Sequence, residues 1–215
     1  MSSASPIRAL TLDAMGCLVT MRDPVPAIAR LLADRGTPRA DDLISTALRR
    51  EITFYKAHHL QARDAHALRS LQVRAAGVLA DGLGLDSDDV DEPFVDAFLT
   101  ALEFVPVSGA IDALARLDAA GLPMVCVSNW DVGLPGHLER LGIARHLRGV
   151  VASGAVGIAK PDPRIFDRAI ELLDVPRDAI AHVGDEPVDR QGAAAAGLRF
   201  LPPPVATLPE RLGLA

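Results

Sequence analysis

Four polar residues of this 215-residue chain have types and positions that suit chemistry on a phosphoryl group. In chain order they offer a carboxylate, a hydroxyl, an ammonium and a second carboxylate: Asp13, Ser128, Lys160 and Asp185. Each comes after an apolar run that is typical of a buried strand. Because ligands of an open parallel sheet bind beyond the carboxyl ends of its strands, we expect these groups to lie close together. There a carboxylate could attack phosphorus while the hydroxyl and the ammonium bind the charged oxygens.

Five apolar runs predict the strands that would position these residues. They are Ile7–Leu12, Pro123–Val127, Gly149–Ala152, Ile180–Val183 and Leu198–Leu201. Turn residues or helical patterns separate the runs, and strands that alternate with helices are typical of a parallel sheet. Ser108 precedes the helical pattern Ala110–Ala120, and Asp162 precedes the pattern Arg164–Leu173, as helix start signals do. The sequence therefore predicts an α/β fold with a doubly wound parallel sheet.

A long insertion follows the first predicted strand. Between Met21 and Glu103 we find no convincing strand, only four helix-like stretches: Val25–Arg35, Asp41–Leu60, Ala65–Gly82 and Val90–Leu102. The segment Val105–Gly109 then carries the proline and glycine of a linker that returns to the sheet. We predict a core made of residues 1–20 and 105–215, with a helical domain, residues 21–104, inserted into it.

Composition and charge argue against several classes of partner. The net charge is -6 and no long basic run is present, so an electrostatic footprint for nucleic acid or anionic membrane is missing. No apolar run reaches the roughly 20 residues of a membrane span. Cys17 and Cys126 are too few for a disulfide framework, and the N-terminus lacks the regions of a signal peptide. We expect a cytoplasmic protein that binds neither nucleic acid nor membrane; its oligomeric state is not predicted.

Four segments of the chain resemble the four ordered motifs of the haloacid dehalogenase-like (HAD) hydrolase superfamily. They are Leu12-Asp13-Ala14-Met15-Gly16-Cys17-Leu18, Val127-Ser128-Asn129, Lys160-Pro161-Asp162-Pro163 and Val183-Gly184-Asp185-Glu186-Pro187-Val188-Asp189. The helical insertion lies where that family places its type-1 cap, between the first and second motifs. The resemblance spans nearly the whole chain and implies a Rossmann-like core with an inserted helical cap.

The resemblance implies a nucleophile and a magnesium site. Asp13 would attack phosphorus and form an aspartyl-phosphate that water later cleaves. Mg²⁺, which prefers oxygen ligands, would be held by Asp13, the backbone carbonyl of Met15 and Asp185, with Asp189 nearby. The alternatives are structural: a buried turn residue for Asp13, and a helix cap for Asp189 and, with less reason, for Asp185.

Two further residues would assist catalysis by the same resemblance. Ser128 would bind the transferring phosphoryl group by a hydrogen bond, and Lys160 would neutralise the charge gathered around the nucleophile. The segment Lys160–Pro163 is alternatively a loop that its prolines make rigid before a helix.

The first motif departs from the family pattern at Met15. Phosphatases of this family carry a second Asp there, which protonates the leaving oxygen and then activates water. A thioether does neither, so a contribution of about 10²–10⁴-fold in rate is at risk. Cys17 stands where the family usually has Thr; it is either a reactive thiol beside the nucleophile or a small buried packing residue.

Three functional interpretations follow from this departure. The first is a magnesium-dependent hydrolase of a small phosphorylated or activated metabolite, slow on ordinary phosphomonoesters. The second is a 2-haloacid dehalogenase, whose first motif resembles Asp-Ala-Tyr-Gly-Thr-Leu and also lacks the second Asp. The acidic segment Gly184–Asp189 argues against it, because the corresponding motif of dehalogenases resembles Ser-Asn rather than Gly-Asp. The third is a binding or regulatory protein that has lost efficient turnover.

A small anionic metabolite is the expected substrate, and five residues are candidates to bind it. Asn129 and Trp130 follow Ser128, and Trp130 is expected near the mouth of the site or at the hinge between core and cap. Lys56, His59 and Arg63, spaced by three and four residues on one predicted cap helix, could meet an anion. The alternative for these three is a solvated basic face.

Overall fold

The computed structural model describes residues 6–214 and contains these strands and helices. The strands are β1 (Ala9–Leu12), β2 (Val19–Met21), β3 (Phe104–Pro106), β4 (Met124–Ser128), β5 (Gly149–Ala152), β6 (Ile180–Val183) and β7 (Arg199–Leu201). The helices are α1 (Val25–Asp34), α2 (Asp41–His58), α3 (Ala65–Gly82), α4 (Glu92–Ala101), α5 (Ala110–Ala119), α6 (Leu134–Arg140), α7 (Ser153–Val156), α8 (Asp167–Leu173), α9 (Pro187–Ala195) and α10 (Leu208–Arg211).

A five-stranded sheet in the order β5-β4-β1-β6-β7 forms the centre of one unit. Each neighbouring pair in it is parallel. The predicted α/β fold with a parallel sheet is therefore confirmed. All four residues of β1 and of β6 are buried, because helices cover both faces of such a sheet.

Contacts within the chain divide it into two compact units. One is Met21–Phe104, and the other is formed by the chain on either side of that segment. In the sheet unit, Val125, Ile180 and Phe166 are fully buried members of an apolar cluster that α8 and α9 cover. Each large apolar side chain buried in this way contributes about 1.5–3 kcal/mol. This packing holds β1, β4 and β6 in register, so that their carboxyl ends are fixed relative to one another.

The Met21–Phe104 unit is helical, and its core lies between α2, α3 and their neighbours. Phe94, Phe98 and Leu79 are buried there. Asp64 begins α3 by accepting a hydrogen bond from the backbone N–H of Ala67 (2.8 Å). Asp91 begins α4 in the same way. Side-chain caps thus set the start of α3 where the sequence predicts it, and they start α4 at Glu92, two residues after the predicted start at Val90.

Several local predictions need correction. The two ends of the insertion are not plain linkers, because β2 and β3 pair as a two-stranded sheet. Ser108 does not cap α5, since Gly109 occupies the N-cap with φ 72°, a conformation that favours glycine. The helix expected at Arg164–Leu173 begins as a 3₁₀ turn, Pro163–Phe166, before α8.

Arg63 does not lie on the same helix as Lys56, contrary to the prediction. Helix α2 ends at His58, and a 3₁₀ turn, His59–Gln61, follows it. Nδ1 of His58 lies 2.7 Å from the carbonyl oxygen of Phe54, and Nδ1 of His59 lies 2.9 Å from that of Lys56. Both imidazole groups bind carbonyls of the last turn and so stabilise this end of the helix.

Within residues 6–214, no helix has both the length and the apolar character that crossing a membrane requires.

Candidate active site

The carboxyl ends of β1, β4 and β6 meet at one edge of the sheet. Leu12 is in register with Cys126 on one side and with Val183 on the other. Asp13 follows β1 directly, and its backbone N–H donates to the carbonyl oxygen of Val183 (2.8 Å). Asp185 comes two residues after β6. The strand register therefore brings the two carboxylates to the same place, as the strand-end argument predicts.

Lys160 is buried between two carboxylates. Its Nζ lies 2.6 Å from Oδ1 of Asp13 and 2.6 Å from Oδ1 of Asp189. A third hydrogen bond goes to the backbone carbonyl of Val127 (3.0 Å). Burial alone would lower the pKa of Lys160, but the charges of the two aspartates outweigh burial and raise it. Lys160 therefore carries a positive charge with all three of its donors in use.

Asp13 uses only one of its oxygens in this network. The bond from Lys160 occupies Oδ1, while Oδ2 makes no hydrogen bond within residues 6–214. The side chain is 9% exposed, so the carboxylate is largely buried but still reachable. An ionised carboxylate held at one oxygen presents the other in a fixed direction, which is the arrangement that a nucleophile needs.

Asp189 has both oxygens committed to neighbours. Oδ1 accepts from Lys160 and lies 3.2 Å from Nε2 of His182, and Oδ2 accepts from the backbone N–H of Glu186 (2.9 Å). Burial opposes ionisation, but the hydrogen bond with His182 and the charge of Lys160 outweigh it and lower the pKa of Asp189 to about 2. Asp189 thus belongs to the polar network and also takes part in the capping box at the start of α9, while its role beside a metal stays a prediction.

Asp185 completes a group of three acids. Oxygen atoms of Asp13, Asp185 and Asp189 all lie within 4.8 Å of one another. Burial, and after it the charge of Asp13, raise the pKa of Asp185. Three hard oxygen donors whose charges oppose one another fit a divalent cation such as Mg²⁺. Since Asp189 is bound on both oxygens, Asp13 and Asp185 are the more available ligands.

Glycines make room for these acids. Gly16 has φ +76°, and a Cβ atom at this position would collide with the carboxylate of Asp185. At Gly184 a Cβ atom would collide with the side chain of Asp189. Asp185 can therefore approach the loop after β1, and Asp189 the loop after β6, only because these two positions carry no side chain.

The side chain of Met15 is exposed, and that of Cys17 is buried. Met15 is 38% exposed and lies two residues after Asp13 in the sequence. Burial raises the pKa of the Cys17 thiol, and the charges of Asp13 and Asp185 raise it further. Cys17 is therefore a protonated packing residue rather than a reactive thiol.

Ser128, Asn129 and Trp130 occupy the end of β4. Ser128 is the last residue of that strand and is buried. The Asn129 side chain binds the backbone of Lys160 twice: its Nδ2 donates to the carbonyl oxygen (3.0 Å), and its Oδ1 accepts from the N–H (2.7 Å). Trp130 is buried, with its ring 5.9 Å from that of His137. Asn129 thus positions Lys160, and the substrate contacts predicted for Asn129 and Trp130 stay predictions.

The remaining three predicted substrate residues belong to the helical unit. Lys56 and Arg63 are exposed, whereas His59 is buried. Arg63 Nε donates to the carbonyl oxygen of Leu60 (3.3 Å). The structure therefore does not place all three on one solvated face, and their substrate role stays a prediction.

Two polar residues behind the site were not singled out from the sequence. Thr11 in β1 and His182 in β6 are both fully buried, and Oγ1 of Thr11 lies 2.9 Å from Nδ1 of His182. The ring of Phe166 meets that of His182 edge-on at 4.9 Å. Polar residues inside otherwise apolar strands of a parallel sheet are the signal that could have found them.

Comparisons with known proteins show the family to which the chain belongs. A family model described as haloacid dehalogenase-like hydrolase matches residues 7–197. Mouse haloacid dehalogenase-like hydrolase domain-containing protein 3 is 31% identical over 209 residues, which cover 89% of this chain and 80% of that protein. The human counterpart is 41% identical over 93 residues, 43% of this chain and 37% of that protein, so this match spans well under half its length.

Proteins named as phosphatases and proteins named as haloacid dehalogenases are both similar to the chain. Phosphoserine phosphatase of Thermus thermophilus is 41% identical over 91 residues, 40% of this chain and 35% of that protein. (S)-2-haloacid dehalogenase 1 of a Pseudomonas species is 28% identical over 194 residues, 89% and 82% of the two chains. The solved L-2-haloacid dehalogenase of Xanthobacter autotrophicus shares the fold, with a TM-score of 0.68, 22% identity, and coverage of 96% of this chain and 83% of that one.

The strand-end acids, the buried lysine and the match to residues 7–197 together establish that the chain belongs to the haloacid dehalogenase-like hydrolase family and is a hydrolase.

Proposed function

We propose that the protein is a magnesium-dependent hydrolase that acts through an aspartyl intermediate on a small anionic metabolite carrying a phosphoryl group. The observation that carries this proposal is the charge balance of the site. Three carboxylates, Asp13, Asp185 and Asp189, lie together against the single ammonium of Lys160, which leaves two negative charges. A divalent cation matches this excess.

The reaction would take place at Asp13. Its free oxygen attacks phosphorus, the bond from phosphorus to the leaving oxygen breaks, and the phosphoryl group is held on Asp13 as an acyl phosphate. Attack by water on that phosphorus releases inorganic phosphate and regenerates the carboxylate. Lys160 holds Asp13 by its other oxygen and offsets negative charge as the anionic substrate approaches.

Mg²⁺ would be held by Asp13 and Asp185, with the backbone carbonyl of Met15 as a further oxygen ligand. When bound, it would supply positive charge that stabilises the phosphoryl oxygens. Asp189 would act indirectly, because both its oxygens are engaged with Lys160, His182 and Glu186.

Met15 restricts the substrates for which turnover is efficient. It carries no proton for a leaving alkoxide, so esters of ordinary alcohols would be cleaved slowly. When an acyl phosphate is attacked at phosphorus, the leaving group is a carboxylate, which is stable without a proton. We therefore propose an acyl phosphate or a similarly activated phosphoryl compound as the preferred substrate class.

A dehalogenase is the second candidate, because (S)-2-haloacid dehalogenase 1 aligns with 89% of the chain and such enzymes, like this chain, lack the second Asp. In that reaction Asp13 would displace halide from a 2-haloacid without metal. The site geometry argues against it, since an anionic haloacid would approach two uncompensated negative charges. A protein that binds metal and ligand without turnover is the third candidate.

The test measures phosphate release from acetyl phosphate and from p-nitrophenyl phosphate, with Mg²⁺ and with EDTA. We expect Mg²⁺-dependent turnover, faster on acetyl phosphate, that Asp13→Asn abolishes. Arg145→Gln, an exposed change in the sheet unit, is the matched control and should turn over normally. Halide release from 2-chloropropionate in EDTA would instead establish the dehalogenase. Mg²⁺ binding by calorimetry without either product would favour the binding protein.

A further inference from the structure

A chain of hydrogen bonds runs from the interior of the sheet to the nucleophile. Thr11 of β1 and His182 of β6 face each other in register, with Oγ1 of Thr11 2.9 Å from Nδ1 of His182. Nε2 of His182 lies 3.2 Å from Oδ1 of Asp189. The same oxygen of Asp189 accepts from Lys160, which in turn donates to Asp13. Thr11 and His182 touch none of the atoms that react.

Each group in this series of hydrogen bonds can be only a donor or only an acceptor toward a given neighbour. An ionised Asp189 only accepts, so Nε2 of His182 must carry the proton. Burial lowers the pKa of His182 and keeps the ring neutral, which leaves Nδ1 as an acceptor. The hydroxyl of Thr11 must then donate to Nδ1. Thr11 thus selects the tautomer in which His182 presents an N–H to Asp189.

Asp189 depends on this donor for its orientation. The backbone N–H of Glu186 holds Oδ2, which anchors one oxygen and leaves the carboxylate free to turn about that bond. His182 holds the second oxygen, and the edge of Phe166 fixes the plane of the imidazole ring. With both oxygens held, Oδ1 faces Nζ of Lys160 at 2.6 Å.

We propose that Thr11 and His182 are positioning residues that hold Asp189 in the orientation in which it binds Lys160, and so set the position of the ammonium beside Asp13. The expected effect on turnover rests on the proposed phosphohydrolase function. The expected effect on Lys160 itself does not, because it follows from the hydrogen bonds alone.

The composition of the chain allows Lys160 to be observed directly. Lys56 and Lys160 are its two lysines, so ¹⁵N-lysine labelling gives two side-chain ammonium groups. Lys56 is exposed, whereas Lys160 is buried with three hydrogen bonds. Proton exchange with water should broaden the Lys56 signal away, and NMR of the protein in EDTA should show the slowly exchanging Lys160 ammonium.

The variants compare loss of a donor with its conservation. Thr11→Val removes the hydroxyl while keeping the shape, and Thr11→Ser keeps the hydroxyl. His182→Leu removes the ring donor, and His182→Gln retains an N–H at about the same distance from the backbone. Val151→Ala, at a buried position of β5 outside the network, controls for loss of stability alone.

We expect the Lys160 signal to weaken or disappear in Thr11→Val and His182→Leu, and to persist in Thr11→Ser, His182→Gln and Val151→Ala. With acetyl phosphate, kcat should fall about 10- to 100-fold in the first two variants while KM stays within about two-fold, because a misplaced Lys160 chiefly affects the transition state. Serine and glutamine should restore most of kcat.

Two results would overturn the proposal. One is a Lys160 signal in folded Thr11→Val and His182→Leu that matches the wild type. The other is an equal loss of that signal in Val151→Ala, which would make it a report on stability alone. If the wild type releases no phosphate, the proposed function fails, and the NMR comparison still decides the positioning role.

Discussion

The ammonium nitrogen of Lys160 lies 2.6 Å from Oδ1 of Asp13, and this pair is almost completely buried. Removing one partner of a buried ion pair leaves the other charge uncompensated, which is much costlier than losing a pair at the surface. Here one ammonium faces two carboxylates, since Asp189 is equally close. Lys160 therefore contributes to the stability of the sheet unit as well as to the proposed chemistry.

Lys160→Met is expected to lower both stability and turnover. The free energy of unfolding at pH 7 should fall by about 3–5 kcal/mol, because two buried carboxylates lose their counter-charge. Turnover of acetyl phosphate should fall at least about 10²-fold. Urea unfolding and steady-state kinetics measure the two effects.

The pH dependence separates charge from packing in this variant. The charge of Lys160 contributes to the low pKa of Asp189. In Lys160→Met the acids are therefore protonated more easily, and the loss of stability relative to the wild type should shrink as the pH falls toward 5. For stability, Lys56→Met is the matched control, because Lys56 is exposed and its replacement should change the free energy of unfolding by less than about 1 kcal/mol. A loss for Lys160→Met that does not vary with pH would contradict the electrostatic explanation.

Met15→Asp is expected to raise turnover of ordinary phosphomonoesters. Position 15 is 38% exposed, so an added carboxylate need not be buried and can exchange protons with water. If a general acid is the missing component, p-nitrophenyl phosphate and, more strongly, alkyl phosphates should be cleaved about 10- to 10³-fold faster. Met15→Asn, which has the same shape without an acid, should bring no gain. An equal gain in both variants would assign the effect to polarity rather than to proton transfer.

Much of the fold was predictable from the sequence because it follows from periodic apolar patterns. The predicted runs at Gly149–Ala152 and Ile180–Val183 coincide with β5 and β6, and the stretch Ala65–Gly82 coincides with α3. Polar residues at strand ends could be found because parallel strands end at a common edge.

The partners of individual polar atoms could not be predicted in the same way. His182 lies in an apolar strand, where a pattern does not distinguish a packed ring from a hydrogen-bonded one. Asn129 is bound to the backbone of Lys160, a contact between residues 31 positions apart that depends on side-chain rotamers. Such features depend on tertiary geometry, and the local sequence holds no periodic signal for them.

Arg199→Met is expected to stabilise the protein. Nε and Nη2 of Arg199 are buried without a hydrogen-bond partner in the structure of residues 6–214. Unsatisfied donors on a charged group lose hydration without gaining a bond, whereas methionine keeps most of the apolar stem. The free energy of unfolding should rise by about 1–3 kcal/mol.

Arg177→Met is the control for this change. Arg177 pairs with Asp167 (2.8 Å), and its side chain is 49% exposed. Its replacement should leave the free energy of unfolding unchanged or lower it by up to about 1 kcal/mol. If Arg199→Met proves as destabilising as Arg177→Met or more so, the guanidinium of Arg199 must have a compensating interaction in solution.

Glu51→Gln is expected to change how the stability of the helical unit varies with pH. Glu51 lies on the buried side of α2 with Ile44, Ala47 and Leu48, and its carboxylate forms no hydrogen bond or ion pair in the described part of the chain. Burial raises the pKa of Glu51 from 4.5 to about 7. The folded state therefore favours the protonated acid, and stability is lost as the pH rises from about 4.5 through about 7.

The size and direction of this effect can be measured by urea unfolding at pH 5 and pH 8. At pH 8 a shift of this size corresponds to roughly 3 kcal/mol of lost stability, which the neutral glutamine should largely recover. At pH 5, where the wild-type acid is mostly protonated in the folded state, the two proteins should differ by less than about 1 kcal/mol. Glu139→Gln, an exposed change, should leave the pH profile as it is in the wild type. The prediction fails if the wild type is no more stable at pH 5 than at pH 8 and Glu51→Gln brings no gain at pH 8. The carboxylate of Glu51 would then reach water or a cation when it ionises.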